Sequence, residues 1–303
     1  MRTGAVSTSF KTCGATLGGL LCSAALAQPL PTDPLERQCW LAHTAQRTAV
    51  DLREPVAVHF SNLRNGYRVR SPFWVEFGVR GMGVIPAGNP NEQAGHHHLL
   101  IDTPLPLNHQ AAIPFSDTHK HFGKGQTGAE ISLPPGRHTL RLLFADHAHK
   151  PYFVYSPEIS IEVIAPRSQP GPRVQAGPAY AESCEAWYQD QRATPRVVQG
   201  PEVYIKNLRD GETVTSPFTL SLGVLGGLGI APAGIAVKDS GHFRLVLLQR
   251  GGGPVQRQAL GDGRTETTVD LPPGDYEAQV ALHDSAGQVL ARAPTLRLTV
   301  NRR

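Results

Sequence analysis

Leu271-Pro272-Pro273-Gly274-Asp275-Tyr276-Glu277-Ala278-Gln279-Val280-Ala281-Leu282 is the stretch that decides the fold. Tyr276, Ala278, Val280 and Leu282 fall on one face of an extended chain, with Glu277 and Gln279 on the other. That period of two predicts a half-buried strand. The turn Asp284-Ser285-Ala286-Gly287 follows, and Leu296-Arg297-Leu298-Thr299-Val300 supplies a closing strand. A Pro-Gly turn, a strand with an early Tyr, a tight turn and a closing strand predict the last hairpin of an immunoglobulin-like β-sandwich.

Working outward, the same signals occur twice. Leu133-Pro134-Pro135-Gly136 precedes Leu271-Pro272-Pro273-Gly274 by 138 residues. Nearer the N-terminus the offset is 145: Asn62-Leu63-Arg64-Asn65-Gly66 recurs as Asn207-Leu208-Arg209-Asp210-Gly211, and Ser71-Pro72-Phe73 as Ser216-Pro217-Phe218. Gly95-His96 matches Gly241-His242 at an offset of 146. The second copy therefore lacks eight residues around His109 to His121. A period this long denotes tandem domains rather than a solenoid. The chain reads as all-β, two immunoglobulin-like sandwiches over residues 54–165 and 199–303.

Each sandwich follows a helical leader, residues 28–53 and 179–198, with Thr32 or Asp33 before Pro34 as the first helix start. Residues 166–178 form a Pro/Gly-rich linker. Arg2 and Lys11, an apolar run from Cys13 to Leu26 and Ala25-Leu26-Ala27 read as a signal peptide over residues 1–27, which predicts a periplasmic or secreted protein. No other stretch is long and apolar enough to span a membrane. Beyond the signal remain Cys39 and Cys184, at equivalent positions of the two leaders, and an oxidising compartment predicts a disulfide between them. The formal net charge of +4 loses two units with the signal, and no Lys/Arg run forms a patch, so no nucleic-acid partner is expected.

Ten of the thirteen histidines lie between His59 and His149, in the clusters His96-His97-His98, His119-Lys120-His121 and His147-Ala148-His149, with His138 between the last two. The second copy keeps the fold signals and loses nearly all of them, so it serves as an internal control. Phe243, Leu245 and Leu247 should face its core. Alternation then points His97, Leu99 and Ile101 inward and His96 and His98 outward. Two imidazoles at i and i+2 on one face suit a metal ion, and His119 and His121 repeat that spacing. His147 and His149 replace Ser285 and Gly287 at a hairpin tip, and His138 replaces Tyr276. His97 reads equally as a core residue in a Phe position. Asp102, on the His96 and His98 face by alternation, is a further candidate, as His97 and His147 are, for a place in or beside the ligand set. His43, His59 and His109 have no pattern around them and receive no role. Met82 is the single methionine beyond the signal, which argues against a thioether Cu(I) carrier. The glycines from Gly81 to Gly88 recur in the second copy from Gly226 to Gly234 and denote turns, and no Gly-x-Ser-x-Gly elbow is present.

Gly95-His96-His97-His98-Leu99-Leu100-Ile101-Asp102, His121-Phe122-Gly123-Lys124-Gly125-Gln126-Thr127 and Leu133-Pro134-Pro135-Gly136-Arg137-His138-Thr139-Leu140 resemble an exported bacterial family known as domain of unknown function 4399. The resemblance covers about Val58 to Val163 and implies an exported β-rich domain without assigning an activity. His96, His97, His98, His121, His138 and His149 match its pattern, and the second copy keeps only His242. The expectation is a periplasmic protein that binds Zn or Cu(II) through His96, His98 and His121, with His119, His138 and His149 next. The second copy would be a scaffold or the dock for another envelope protein. Two other readings stand beside it: a metal-dependent enzyme with an open position on the ion, and an envelope adhesion module without metal.

Overall fold

The computed structural model describes residues 27–50 and 57–301. Of the expected signal peptide, residues 1–26 lie outside them. No helix among the described residues is long and apolar enough to cross a membrane.

The alternating runs form strands. In the first copy these are β1 (Ala57–Phe60), β2 (Arg68–Ser71), β3 (Phe73–Arg80), β4 (Gly83–Val84), β5 (Ala94–Ile101), β6 (His119–Phe122), β7 (Gly128–Ile131), β8 (Gly136–Ala145), β9 (Pro151–Tyr155) and β10 (Ile159–Pro166). The second copy repeats them as β11 (Glu202–Ile205), β12 (Glu212–Thr215), β13 (Phe218–Leu225), β14 (Gly229–Ile230), β15 (Ser240–Gln249), β16 (Pro254–Leu260), β17 (Glu266–Val269), β18 (Gly274–His283), β19 (Val289–Arg292) and β20 (Leu296–Asn301). Each copy is a sandwich. A three-stranded sheet, β1-β3-β7 or β11-β13-β17, faces a larger one built on β5-β8-β10-β2 or β15-β18-β20-β12. Tyr276, Ala278, Val280 and Leu282 all lie in the core, as the alternation required. Both Ser-Pro-Phe motifs carry a cis peptide, Ser71-Pro72 and Ser216-Pro217.

The copies are fused rather than strung in line. β4 pairs with β14 through Val84 and Ile230, which joins the two larger sheets into one. Across the contact Thr127 Oγ1 donates to the Val224 carbonyl and accepts from the Val224 amide. Thr265 makes the same pair of bonds with Val79. These two equivalent exchanges mark an approximate twofold relation between the copies.

The leaders obey the same symmetry by crossing over. Asp33 caps α1 (Pro34–Ala42) through its carboxylate, which accepts from the Leu35 and Glu36 amides. The short α2 (Thr44–Thr48) follows, and α3 (Tyr180–Arg192) leads the second copy. Arg47 of the first leader pairs with Glu212 of the second copy, at 2.6 Å. Asp190 of the second leader pairs with Arg70 of the first copy, at 2.9 Å. Asn62 Nδ2 donates to its own Trp74 carbonyl and to the Arg192 carbonyl of the other leader, while its Oδ1 accepts from Glu76 N. Asn207 repeats the pattern with Thr219, Arg47 and Ser221. The repeated Asn-Leu-Arg motif thus locks each body to the other copy's leader. Cys39 and Cys184 form a disulfide where α1 meets α3, packed against Trp40, Trp187 and Tyr188.

Candidate metal centre

β5 runs along the middle of the larger sheet of copy one, and its alternation splits the three adjacent histidines. His97 points into the apolar core between Phe77 and Phe144, with ring centroids 5.1 and 5.0 Å away. It occupies the place that Phe243 fills in copy two. His96 and His98 leave on the opposite face. The expectation of an exposed face needs correction: both are completely buried, with 0% exposure. The segment between β5 and β6, longer by eight residues in this copy, covers them together with the β8–β9 turn.

Register brings the other imidazoles in. His121 on β6 lies directly opposite His98 on β5. His149 reaches over from the β8–β9 turn. The ligand atoms of His96, His98, His121 and His149 all lie within 4.8 Å of one another. His96 Nε2 is 3.0 Å from His98 Nε2 and 3.1 Å from His149 Nδ1. Local backbone makes room for this. A Cβ on Gly123 would sit 2.2 Å from the His121 ring, so only glycine fits beside it. His149 has φ 64, the left-handed region that its counterpart Gly287 occupies with φ 82. A non-glycine residue there is strained by about 1–3 kcal/mol, a feature that concentrates at functional sites. The turn itself belongs to the fold: Asp146 Oδ1 accepts from Ala148 and Lys150, and Asp284 Oδ1 accepts from Ala286 and Gln288.

Burial sets the charge of the cluster. It pushes His96 down to about 3, helped by the neighbouring His121 and His149. It pushes His98 down to about 2, helped by His96 and His121. Burial and then His149 also lower His121. Neutral imidazoles keep a lone pair free, which is the state a metal ion requires. Phe115 lies over the open side, its ring centroid 4.7 Å from His121 and 5.0 Å from His149. The sequence does not point to it, because a lone aromatic in a polar loop gives no periodic signal.

The remaining candidates lie apart from the four. His119 shares the His121 strand, but its Nδ1 faces the Ser116 and Thr118 hydroxyls at 3.1 and 3.0 Å. His147 is exposed at the turn. Asp102 does not continue the alternation of β5, because its φ of 52 turns the chain out of the strand. Its Oδ2 instead faces His138 Nδ1 at 2.7 Å, and its Oδ1 accepts from Thr139 N. His138 Nε2 lies 3.0 Å from the Pro134 carbonyl, where Tyr276 Oη donates to the Pro272 carbonyl in copy two. Burial opposes a charge on His138, yet the bonds to Asp102 and Pro134 hold its pKa above the ordinary imidazole value. His138 thus takes over the corner bond of a sandwich strand.

A family model described as "Domain of unknown function (DUF4399)" matches residues 75–164 and again residues 221–301. No curated protein matches the chain. Among solved structures, the fibronectin(III)-like modules of CbhA from Clostridium thermocellum are similar at 9% identity and TM-score 0.24, over 81% of this chain and 94% of that one. CopC from Methylosinus trichosporium OB3b is similar at 18% identity and TM-score 0.23, over 34% of this chain and 96% of that one. A two-domain fibronectin type III segment from chicken tenascin is similar at 11% identity and TM-score 0.18, over 80% of this chain and 97% of that one. At such TM-scores these likenesses carry no argument about the site.

Proposed function

Since this chain belongs to the DUF4399 family, matched in both copies and described without a function, we propose a function from its own residues: an exported protein that binds one metal ion through copy one. The observation that carries the reading is the convergence of His96, His98, His121 and His149 within 4.8 Å in the copy that departs from its internal control. Four neutral nitrogen donors suit Zn(II) or Cu(II), and among the described residues no thiolate or thioether joins them to favour Cu(I). A Zn site with bonds of about 2.0–2.1 Å spaces tetrahedral nitrogens by about 3.3 Å, close to the 3.0 and 3.1 Å spacings of the cluster. Four protein donors complete a tetrahedral set, which favours holding an ion over activating water on it. Export is supported by the Cys39–Cys184 disulfide. The second copy contributes the other half of a fused scaffold and a seat for the first leader.

His98→Ala tests the ligand assignment. Zn(II) and Cu(II) affinity should fall by at least about tenfold, because loss of a ligand exceeds the effect of losing a group behind one. The far-ultraviolet circular dichroism should not change. Unaltered affinity in that variant removes the assignment.

A further inference from the structure

The four imidazoles are held unequally. His96 and His98 are fixed on a central strand and His121 on its hydrogen-bonded neighbour. His149 sits on a turn, in a left-handed conformation, and its carbonyl accepts from Ile113 N at 2.9 Å. Ile113 is buried with Leu100, Leu143 and Ala145 in a small cluster of its own, separate from the main core. Two residues further along the same loop comes Phe115, 61% exposed to solvent yet stacked on His121 and set edge-on against His149. One loop therefore carries both the cover of the cluster and a hydrogen bond to the backbone carbonyl of the residue that bears its fourth imidazole. The corresponding segment of copy two is shorter by eight residues, and glycine stands at position 287.

A second observation concerns the far side of the rings. Metal-bound histidines ordinarily donate their other nitrogen to a carboxylate or carbonyl, which fixes the ring and tightens the site. Here His96 Nδ1 and His98 Nδ1 are buried without a partner among the described residues. The exposed imidazoles of His109 and His147 lie on the covering loop and on the turn that carries His149.

From these contacts, and resting on the metal-binding reading above, we propose that the loop from Thr103 to Thr118 is the exchange gate of the site. Lifting Phe115 uncovers His121 and breaks the Ile113–His149 bond. The set of four is then reduced to the three strand-borne imidazoles, and one position opens to an incoming donor. The partner this mouth suits is a chelating group with nitrogen or sulfur donors that takes the fourth position as His149 leaves. Copy one would then pass its ion on rather than keep it as a structural fixture. Copy two is consistent with this, because it folds without the histidines.

The test loads the full chain, without a His tag, with one equivalent of Zn(II). Transfer to excess 4-(2-pyridylazo)resorcinol is then followed by stopped flow. Phe115→Ala should speed transfer by about tenfold, the scale of the aromatic contacts removed, and Phe115→Leu should restore most of the delay. The equilibrium affinity of both variants should stay within about threefold of the parent, because no ligand is lost. Equal transfer rates in parent and Phe115→Ala, both loaded with one Zn(II), overturn the gate and leave the site standing. A parent that takes up no Zn(II) overturns the site itself and the gate with it. A variant that loses affinity as much as it gains speed assigns Phe115 to site stability and also overturns the gate.

Discussion

The two copies share a backbone plan and differ in three of the four side chains that share one neighbourhood. His96 and its equivalent His242 are both histidines, whereas His98, His121 and His149 correspond to Arg244, Ala259 and Gly287. The register is the same in each: His98 lies opposite His121, and Arg244 opposite Ala259. Gly95 and Gly241 also share a role, since a Cβ on either would strike a backbone oxygen, of Ala145 at 2.3 Å or of His283 at 2.0 Å. What the fold needs is present twice. The imidazole set, the left-handed histidine and the covering loop occur once among the described residues, and they are the reason the proposed metal site is placed in copy one.

The sharpest way to break this comparison is to move the site. Arg244→His, Ala259→His and Gly287→His give copy two a full set of imidazoles around His242. The account predicts that a second equivalent of Zn(II) binds at least about tenfold more weakly than the first, since no loop holds the residue at position 287 over the others. Equal affinity at both copies would show that the loop contributes nothing.

The next largest effect concerns the fusion. Cys39→Ser with Cys184→Ser removes the bridge between the crossed leaders and should lower unfolding free energy by about 2–5 kcal/mol, read from denaturant melts. Asn62→Ala should cost about 1–3 kcal/mol, and Asn207→Ala a similar amount, because each leaves buried backbone groups without a partner. Strongly unequal costs would contradict the twofold relation.

His149→Gly gives copy one the residue of its counterpart. Without metal it should raise stability by about 1 kcal/mol through relief of the left-handed strain, while metal affinity falls. A loss of metal-free stability would show that His149 packs favourably and is not strained.

The smallest effect near neutral pH comes from the protonation of His138. His138 has a raised pKa, so its contribution is complete below the ordinary imidazole value of about 6.5 and fades as pH rises through the raised value. His96 and His98 have lowered values and act in the opposite sense. Their contribution is intact above pH 6.5 and is lost as pH falls toward about 3 and about 2. Metal-free protein should therefore weaken on acidification, and His138→Tyr should flatten only the alkaline side of the stability profile. A flattened acidic side in that variant would contradict the assignment of His138.

Alternation made much of this legible. A period of two divided His97 from His96 and His98, and the Leu-Pro-Pro-Gly repeat located both last hairpins. Matching Tyr276 to His138 also carried a signal, since a residue that replaces a corner tyrosine inherits its backbone partner. Other features depend on distant geometry. Asp102 leaves the face that alternation assigned to it because one backbone torsion turns positive. The crossing of the leaders has no local signature, since the partner of Asn62 is the Arg192 carbonyl, 130 residues away. Convergence of His121 and His149 on His96 and His98 depends on strand register and on a turn, neither of which is written in residue type.

The most direct test of the central claim is the metal content of the chain, without a His tag, at micromolar Zn(II) or Cu(II), for the parent and for His96→Ala/His98→Ala. The account predicts one equivalent in the parent, none in the double variant, and the same circular dichroism in both. Equal binding by the two, or none by the parent, would contradict it.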